Sequence, residues 1–301
     1  MSALPKLVAV LGPTACGKSG LGVALARRFD GEVVSADSRQ VYRGLDLGTG
    51  KITPEEMEGV PHHMLDVVDP GEMYSVADFQ AGAYAAIDDI LSRGKVPFLV
   101  GGTGLYLRSV TEGFVFSDAQ PDPALREKLE ALSTPELRAL VEEKTGAALS
   151  GGEENNRQRL IRAAEKVLSG GWETPPAKPR YHCLLLGVTY PRQTVCDRID
   201  QRLQARIDAG MIDEVANLRA AGVSDEFLDR LGLEYRFILH FLQGDVRDLE
   251  ELKILLGTAI KQFAKRQMSW FRKDKNVLWL DMEADPIAQA AQTVSAFLSQ
   301  N

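Results

Sequence analysis

The stretch Leu11-Gly12-Pro13-Thr14-Ala15-Cys16-Gly17-Lys18-Ser19 constrains this chain more than any other. Gly12, Gly17, Lys18 and Ser19 satisfy G-x-x-x-x-G-K-[ST], the spacing of a phosphate-binding P-loop. The flanks agree with the motif. Residues 7–11 are apolar and β-favouring, which predicts a buried strand. Residues 21–29 carry Leu21, Ala24, Leu25 and Arg28 at helical spacing. Strand, Gly-rich loop and helix in that order aim backbone N–H groups and a helix N-terminus at an anion. Lys18 adds a point charge, and the Ser19 hydroxyl suits Mg²⁺. The expected fold class is therefore α/β, a P-loop NTPase-like parallel sheet flanked by helices, with an α-helical insertion domain for the reasons given below. The loop implies a polyphosphate without saying which one, or what becomes of it.

Residues 32–36 read as the second strand and put Asp37 at its carboxyl end, the sheet edge that also carries the P-loop. A carboxylate there could bind Mg²⁺, accept a proton from a nucleophile, or merely cap a turn. Residues 96–100 read as a third strand, ending in Gly101-Gly102-Thr103-Gly104. Nucleotide-hydrolysing P-loop proteins usually end this kind of strand in an acid that helps hold Mg²⁺. Gly-Gly-Thr argues against a motor or a switch GTPase, and its hydroxyl and exposed amides suit further phosphate oxygens.

Residues 44–72 look irregular. His62 and His63 have no third ligand at suitable spacing, so a metal reading is rejected. Residues 74–93 have an apolar helical face. From 118 to 180 the character changes: Pro121, Pro123 and Pro135 punctuate short helical pieces, Gly151-Gly152 breaks the chain, and Pro175, Pro176 and Pro179 close it. This predicts a helical insertion between the two parts of the core, residues 1–117 and 181–301. Within it, residues 156–166 are amphipathic, with Arg159, Arg162 and Lys166 on one face and Leu160 and Ala164 on another. Residues 181–188 read as a fourth strand, 191–221 as helix broken at Gly210, 276–280 as a short strand, and the end of the chain as an amphipathic helix. The helix expected over 250–272 carries Lys261, Lys265 and Arg272 on one stripe, with Arg266, Lys273 and Lys275 nearby and Trp270 and Phe271 interleaved. That suits single-stranded nucleic acid, and a core helix with a charged outer face equally.

The formal net charge of −7 and pI near 5.3 mean that a phosphate-polymer partner would need a local basic patch. Three scattered cysteines without metal-ligand spacing suit a reduced, cytoplasmic protein. No signal peptide or membrane-spanning run is evident.

Taken together, the motifs resemble the tRNA dimethylallyltransferase family. The resemblance runs through Gly12 to Ser19, Asp37-Ser38-Arg39-Gln40-Val41-Tyr42, residues 62–70, residues 74–79 and Gly101 to Tyr106. It continues in Asn156-Arg157-Gln158-Arg159-Leu160-Ile161-Arg162-Ala163, Arg198-Ile199-Asp200-Gln201-Arg202 and residues 264–272. It implies transfer of a five-carbon group from dimethylallyl diphosphate to N6 of the adenosine next to a tRNA anticodon, with diphosphate leaving. By the family pattern Asp37 is the general base, and Lys18 and Thr103 act on the diphosphate. Gly12, Pro13, Thr14, Ala15, Cys16, Gly17, Lys18 and Ser19 hold that diphosphate, with Mg²⁺ near Ser19. Asp37, Ser38, Arg39, Gln40, Thr103, Arg126, Gln158, Arg159, Leu160, Ile161, Arg162, Lys265 and Arg266 match tRNA-contacting positions. Cys16, Gly50, Ile52 and Lys261 depart from the pattern, which favours Ser, Ala, Pro and Arg there, and Gly232 to Phe237 match only loosely. A monomer is expected. The competing readings are an isopentenyltransferase acting on free adenine nucleotides, a small-molecule or nucleoside kinase, and a catalytically silent RNA-binding protein.

Overall fold

A computed structural model describes residues 4–116, 122–148, 156–170 and 176–300. The chain divides into two compact units, Met1–Gly113 with Pro179–Asn301, and Phe114–Lys178.

Among the described residues the larger unit is built on six strands: β1 (Lys6–Leu11), β2 (Gly31–Ser35), β3 (His62–His63), β4 (Val96–Gly101), β5 (His182–Thr189) and β6 (Leu278–Asp281). They form one sheet in the order β3-β2-β4-β1-β5-β6. Every pairing is parallel, with Val8 opposite Phe98 on one side of β1 and Leu184 on the other. A parallel sheet is covered on both faces, so its strands are near-continuous apolar runs. Successive side chains alternate between the faces. Leu7, Ala9 and Leu11 enter one apolar cluster, and Val8 and Val10 enter the other.

Helix α1 (Lys18–Arg28) and the last helix, α12 (Pro286–Ser299), cover the Val8 face. A Cβ at Gly22 would stand 2.7 Å from Val100 Cγ2, so α1 lies directly on β4 and holds Lys18 over the sheet end. The other face is covered by α2 (Val76–Ser92), α3 (Gly104–Arg108) with the π-helical turn Ser109–Gly113, and five later helices. In the smaller unit come α4 (Pro123–Glu130), α5 (Thr134–Thr145) and α6 (Arg157–Leu168). The later helices of the larger unit are α7 (Arg192–Asp208), α8 (Met211–Ala220), α9 (Asp225–Leu231), α10 (Leu233–Gln243) and α11 (Leu249–Phe271). Each fully buried Leu, Ile or Phe among them contributes about 1.5–3 kcal/mol. The start of α2 is set by a capping box: Asp78 N–H donates to Ser75 Oγ at 3.2 Å, and Ser75 N–H to Asp78 Oδ2 at 2.8 Å.

The two histidines of β3 are structural. His63 Nε2 lies 2.8 Å from Glu32 Oε2, and Arg93 Nη2 donates to the same oxygen at 2.8 Å. Glu32 is 2% exposed. The hydrogen bonds from Arg93, then from His63, hold its carboxyl at about 2 against the opposing effect of burial. A depressed carboxylate stabilises the fold above its unfolded value near 4.5, and that contribution is lost as pH falls from there toward 2. Glu32→Gln is therefore expected to cost about 3 kcal/mol at pH 7, since it breaks a buried pair whose cations still reach water. Urea unfolding of parent and variant should show the gap closing as pH falls through 4.5.

In the smaller unit, Leu129, Leu137, Val141, Leu160, Ile161 and Ala164 form the core. Asn156 caps α6 by accepting from Arg159 N–H at 3.1 Å. Leu160 and Ile161, expected at an RNA interface, are 1% and 0% exposed, so their side chains belong to this core. They lie on the apolar face of α6, and their side chains hold the three helices together. The helices α9 and α10 were not anticipated from the sequence. Pro121, Gly151-Gly152 and Pro175, read as breaks, lie outside the described residues. Among the described residues no helix is long and apolar enough to cross a membrane.

Candidate active site

The loop between β1 and α1 reverses direction through left-handed backbone at Ala15 (φ 61°) and at Gly17 (φ 79°), the residue preceding the helix. The Gly17 conformation is the one a glycine adopts without steric cost, and it lets the amides converge at the start of α1. Lys18 Nζ donates to Pro13 O at 2.6 Å. Two later helices brace the loop from outside. Arg198 Nε of α7 donates to Ala15 O at 2.8 Å. Gln267 of α11 accepts from Thr14 N–H at 2.9 Å and donates through Nε2 to Gly102 O at 2.9 Å. One amide side chain thus ties the P-loop to the turn after β4.

That turn is tied in the same way to the end of β2. Thr103 N–H donates to Ala36 O at 3.2 Å, and Ser38 N–H donates to Thr103 Oγ1 at 3.0 Å. Asp37 Oδ1 accepts from Arg39 N–H at 3.0 Å, which turns the chain and leaves Oδ2 outside that bond. Gln40 Nε2 donates to Gly50 O at 3.2 Å. The 46–50 loop is in turn pinned by Glu214 of α8. Its carboxylate accepts from the N–H groups of Asp46, Leu47 and Gly48 at 2.6–3.0 Å and from Tyr235 Oη at 2.8 Å.

These pieces enclose one cleft of about 870 Å³ at the carboxyl edge of the sheet. Thr14, Ala15, Gly17, Lys18, Ser19, Asp37, Ser38, Arg39, Gln40, Thr103 and Arg266 all line it. The expected base and the expected anion cradle therefore share one wall-to-wall space. Burial brings the Lys18 ammonium down to about 8, opposed by Cys16 and by the negative charge of Asp37. Arg202 is brought down to about 10, first by the protein crowded around it and then by the like charge of Arg206. Both shifts come first from burial, which disfavours the charged form, and a bound anion would oppose them. The lining itself carries Lys18 and five arginines against Asp37, Glu56, Glu58 and Glu234.

Some expected residues serve otherwise. Cys16 is fully buried in the apolar cluster beneath α1, and burial pushes its thiol up. It can offer a phosphate its backbone N–H and not its side chain. Pro13 has no N–H, and its carbonyl holds Lys18. Lys265 belongs to a second, shallower depression with Gln262, Ser269 and Lys273. In the helical unit, Arg126 Nη1 and Arg162 Nη1 both reach the buried Glu165, at 3.1 and 2.9 Å, and Arg126 Nη2 donates to Gln158 at 3.1 Å. Arg159 is exposed.

Sequence reasoning did not assign a site role to Arg198, Arg202, Arg206, Phe263 or Gln267, all of which line the cleft. The first three had a readable signal. Their spacing of four puts three guanidinium groups on one face of α7. Phe263 is flanked by the guanidinium groups of Arg39 and Arg266, 5.7 and 5.9 Å from its ring centroid. As for a metal, the described residues contain no cluster of three or more His, Cys, Asp or Glu that could hold one. The exposed Ser19 hydroxyl in the cleft fits an ion that takes most of its ligands from phosphate and water, as Mg²⁺ does.

Comparison with known proteins bears on this geometry. A family model described as IPP transferase matches residues 40–274, and one described as isopentenyl transferase matches residues 5–69. The chain is 42% identical over 282 residues to a tRNA dimethylallyltransferase of an Exiguobacterium species, covering 92% of this chain and 90% of that one. It is 42% identical over 298 residues to a tRNA dimethylallyltransferase of a Roseiflexus species, covering 96% and 97%. Among solved structures, the full-length tRNA isopentenylpyrophosphate transferase of Bacillus halodurans superposes with a TM-score of 0.73 at 40% identity, covering 98% of this chain and 95% of that one. A eukaryotic dimethylallyltransferase described as acting on tRNA superposes with a TM-score of 0.80 at 25% identity, covering 98% and 80%. A P-loop braced by α7 and α11, an acid at the end of β2 and this likeness along nearly the whole length lead to one statement: the chain belongs to the IPP transferase family.

Proposed function

We propose that this protein is a tRNA dimethylallyltransferase. It moves the dimethylallyl group of dimethylallyl diphosphate to N6 of the adenosine 3′-adjacent to a tRNA anticodon. The observation that carries the reading is that Asp37 and the P-loop line the same cleft.

The adenine N6 attacks C1 of the dimethylallyl group. The C1–O bond breaks, its electron pair leaves with diphosphate, and one N6 proton passes to Asp37. The exocyclic amine is a weak nucleophile because its lone pair is delocalised into the ring, so removal of its proton matters. Charge grows on the diphosphate as the bond breaks. Lys18, the P-loop residues and the arginines of α7 line the same cleft, which suits them to stabilise that charge as it develops. Mg²⁺, held by Ser19 and the phosphate oxygens, would supply further charge neutralisation when bound. Thr103 holds Ser38 beside Asp37 and faces the cleft, where its hydroxyl serves the orientation of either substrate.

The target base has to leave its stack to enter a cleft of this kind. Arg39 and Arg266 around Phe263 give it a cationic, aromatic entrance. Lys265 and, in the helical unit, Arg126, Gln158, Arg159 and Arg162 are assigned to the RNA backbone. The protein is proposed to act as a monomer. Incubation with dimethylallyl diphosphate, Mg²⁺ and either an anticodon stem-loop or AMP tests the proposal. Mass spectrometry of the nucleosides should show a five-carbon adduct on the RNA adenosine. A product on AMP alone would assign the protein to free nucleotides, and ADP formed from ATP with no adduct would make it a kinase.

A further inference from the structure

The α7 arginines do more than line the cleft, because two of them converge on Gly50. This residue has φ 59°, in the left-handed region. A Cβ built on it would overlap Arg206 Nη2 and come within 3.1 Å of Arg202 Nη2. The two guanidinium groups therefore meet over a single backbone position, and the missing side chain is what admits them. Like charges brought this close oppose each other, and Arg206 is the largest like-charge influence on Arg202.

Their counter-charges are unequal. Arg206 Nη1 lies 3.5 Å from Glu234 Oε1, and the carboxylate of Glu234 is shared with Arg39 at 3.8 Å. Arg202 has no hydrogen bond or ion pair among the described residues. Glu56, and after it Glu234, oppose the Arg202 charge through space without a hydrogen bond or ion pair to it. No carboxylate among the described residues is therefore bound to Arg202, and its guanidinium is left for an anion in the cleft. Adjacent on the same helix face, Arg198 is already committed to the P-loop through Ala15 O.

We infer that Arg202 and Arg206, admitted by Gly50, form a paired guanidinium clamp for the distal phosphoryl group of the donor, and that Arg206 is a specificity-determining residue selecting a diphosphate over a monophosphate. This deepens the function proposed above and rests on it only for the identity of the donor. The cradle at Lys18 takes one phosphoryl group, and a second held by the same ligand reaches the clamp. Arg206 contributes to the clamp only while its guanidinium occupies the space that a side chain at residue 50 would fill.

The test is calorimetric titration of the full chain, with Mg²⁺, using inorganic diphosphate and separately inorganic phosphate. Arg206→Met is expected to weaken diphosphate about tenfold and phosphate less than about twofold, the scale of one lost charge-assisted fork. Gly50→Ala is expected to give the same loss, because the methyl group expels the guanidinium. The double variant should be no weaker than Arg206→Met alone. An Arg206→Met protein that binds diphosphate within twofold of the parent, loses both ligands equally, or shows losses that multiply with Gly50→Ala overturns the inference. Alanine at φ 59° is strained, so if Gly50→Ala does not fold, the Arg206→Met titrations decide alone. Titration needs no turnover. A parent that discriminates through Arg206 yet transfers no prenyl group would refute the function and leave the clamp standing. A parent that prenylates RNA with an indifferent Arg206 would do the reverse.

Discussion

Asp37→Asn should abolish nearly all prenyl transfer, by about 10³-fold in a single-turnover assay, the middle of the range for loss of a positioned general base. It should leave the fold and diphosphate binding within twofold of the parent. Asparagine keeps an oxygen where Asp37 Oδ1 accepts from Arg39 N–H, so the turn at the end of β2 survives. Thr103 and Ser38 are joined through a backbone N–H and are unaffected. Only the proton acceptor is removed. If Asp37 instead held a metal or capped a turn, the variant would weaken diphosphate binding or stability, and transfer would fall only in proportion. The outcome that removes Asp37 from the chemistry is an Asn variant with more than a tenth of parental turnover at saturating substrate.

Much of this site was legible in the chain because its parts are local. The P-loop is one strand, one turn and the first residues of one helix, and its glycine spacing states the backbone geometry directly. Asp37 and Thr103 each follow a strand whose apolar run is unambiguous, and in a parallel sheet the ends of neighbouring strands must meet at one edge. What was not legible is what crosses between distant elements. Gln267 was only one residue of a matched segment, and nothing in its neighbourhood says that it will bond Thr14 and Gly102 at once. The α7 arginines were visible as a spacing of four, but a cationic helix face is ordinarily solvated, and only the packing of α7 beside the P-loop turns it inward. The helices α9 and α10 are short and joined by Gly232 at φ 70°, so neither offers the long periodicity that marks α2 or α11. The burial of Leu160 and Ile161 was hidden for a different reason. A family-level motif names a helix as a whole, while packing decides which of its side chains are buried.

Lys18→Met should lower donor affinity and turnover together, about 10²–10³-fold in kcat/KM, because the ammonium acts on the diphosphate both at rest and as charge grows on it. The pH dependence separates this from a structural loss. Burial holds Lys18 at about 8 in the free protein, against about 10.4 in an unfolded chain. Between those values the unfolded chain binds the extra proton, so stability of the free fold rises with pH across the window, and below 8 the full cost of the buried charge is present. Anion binding has the opposite sign. A bound diphosphate favours the ammonium, so above pH 8 each binding event takes up a proton and affinity falls by up to about tenfold per pH unit. Calorimetry in buffers of different ionisation enthalpy should detect that uptake in the parent at pH 9. In Lys18→Met the uptake should vanish, and the free protein should lose the rise in stability between pH 8 and 10. Proton uptake that persists in the variant would transfer the titration to another group in the cleft and leave Lys18 as a tether for the Pro13 carbonyl.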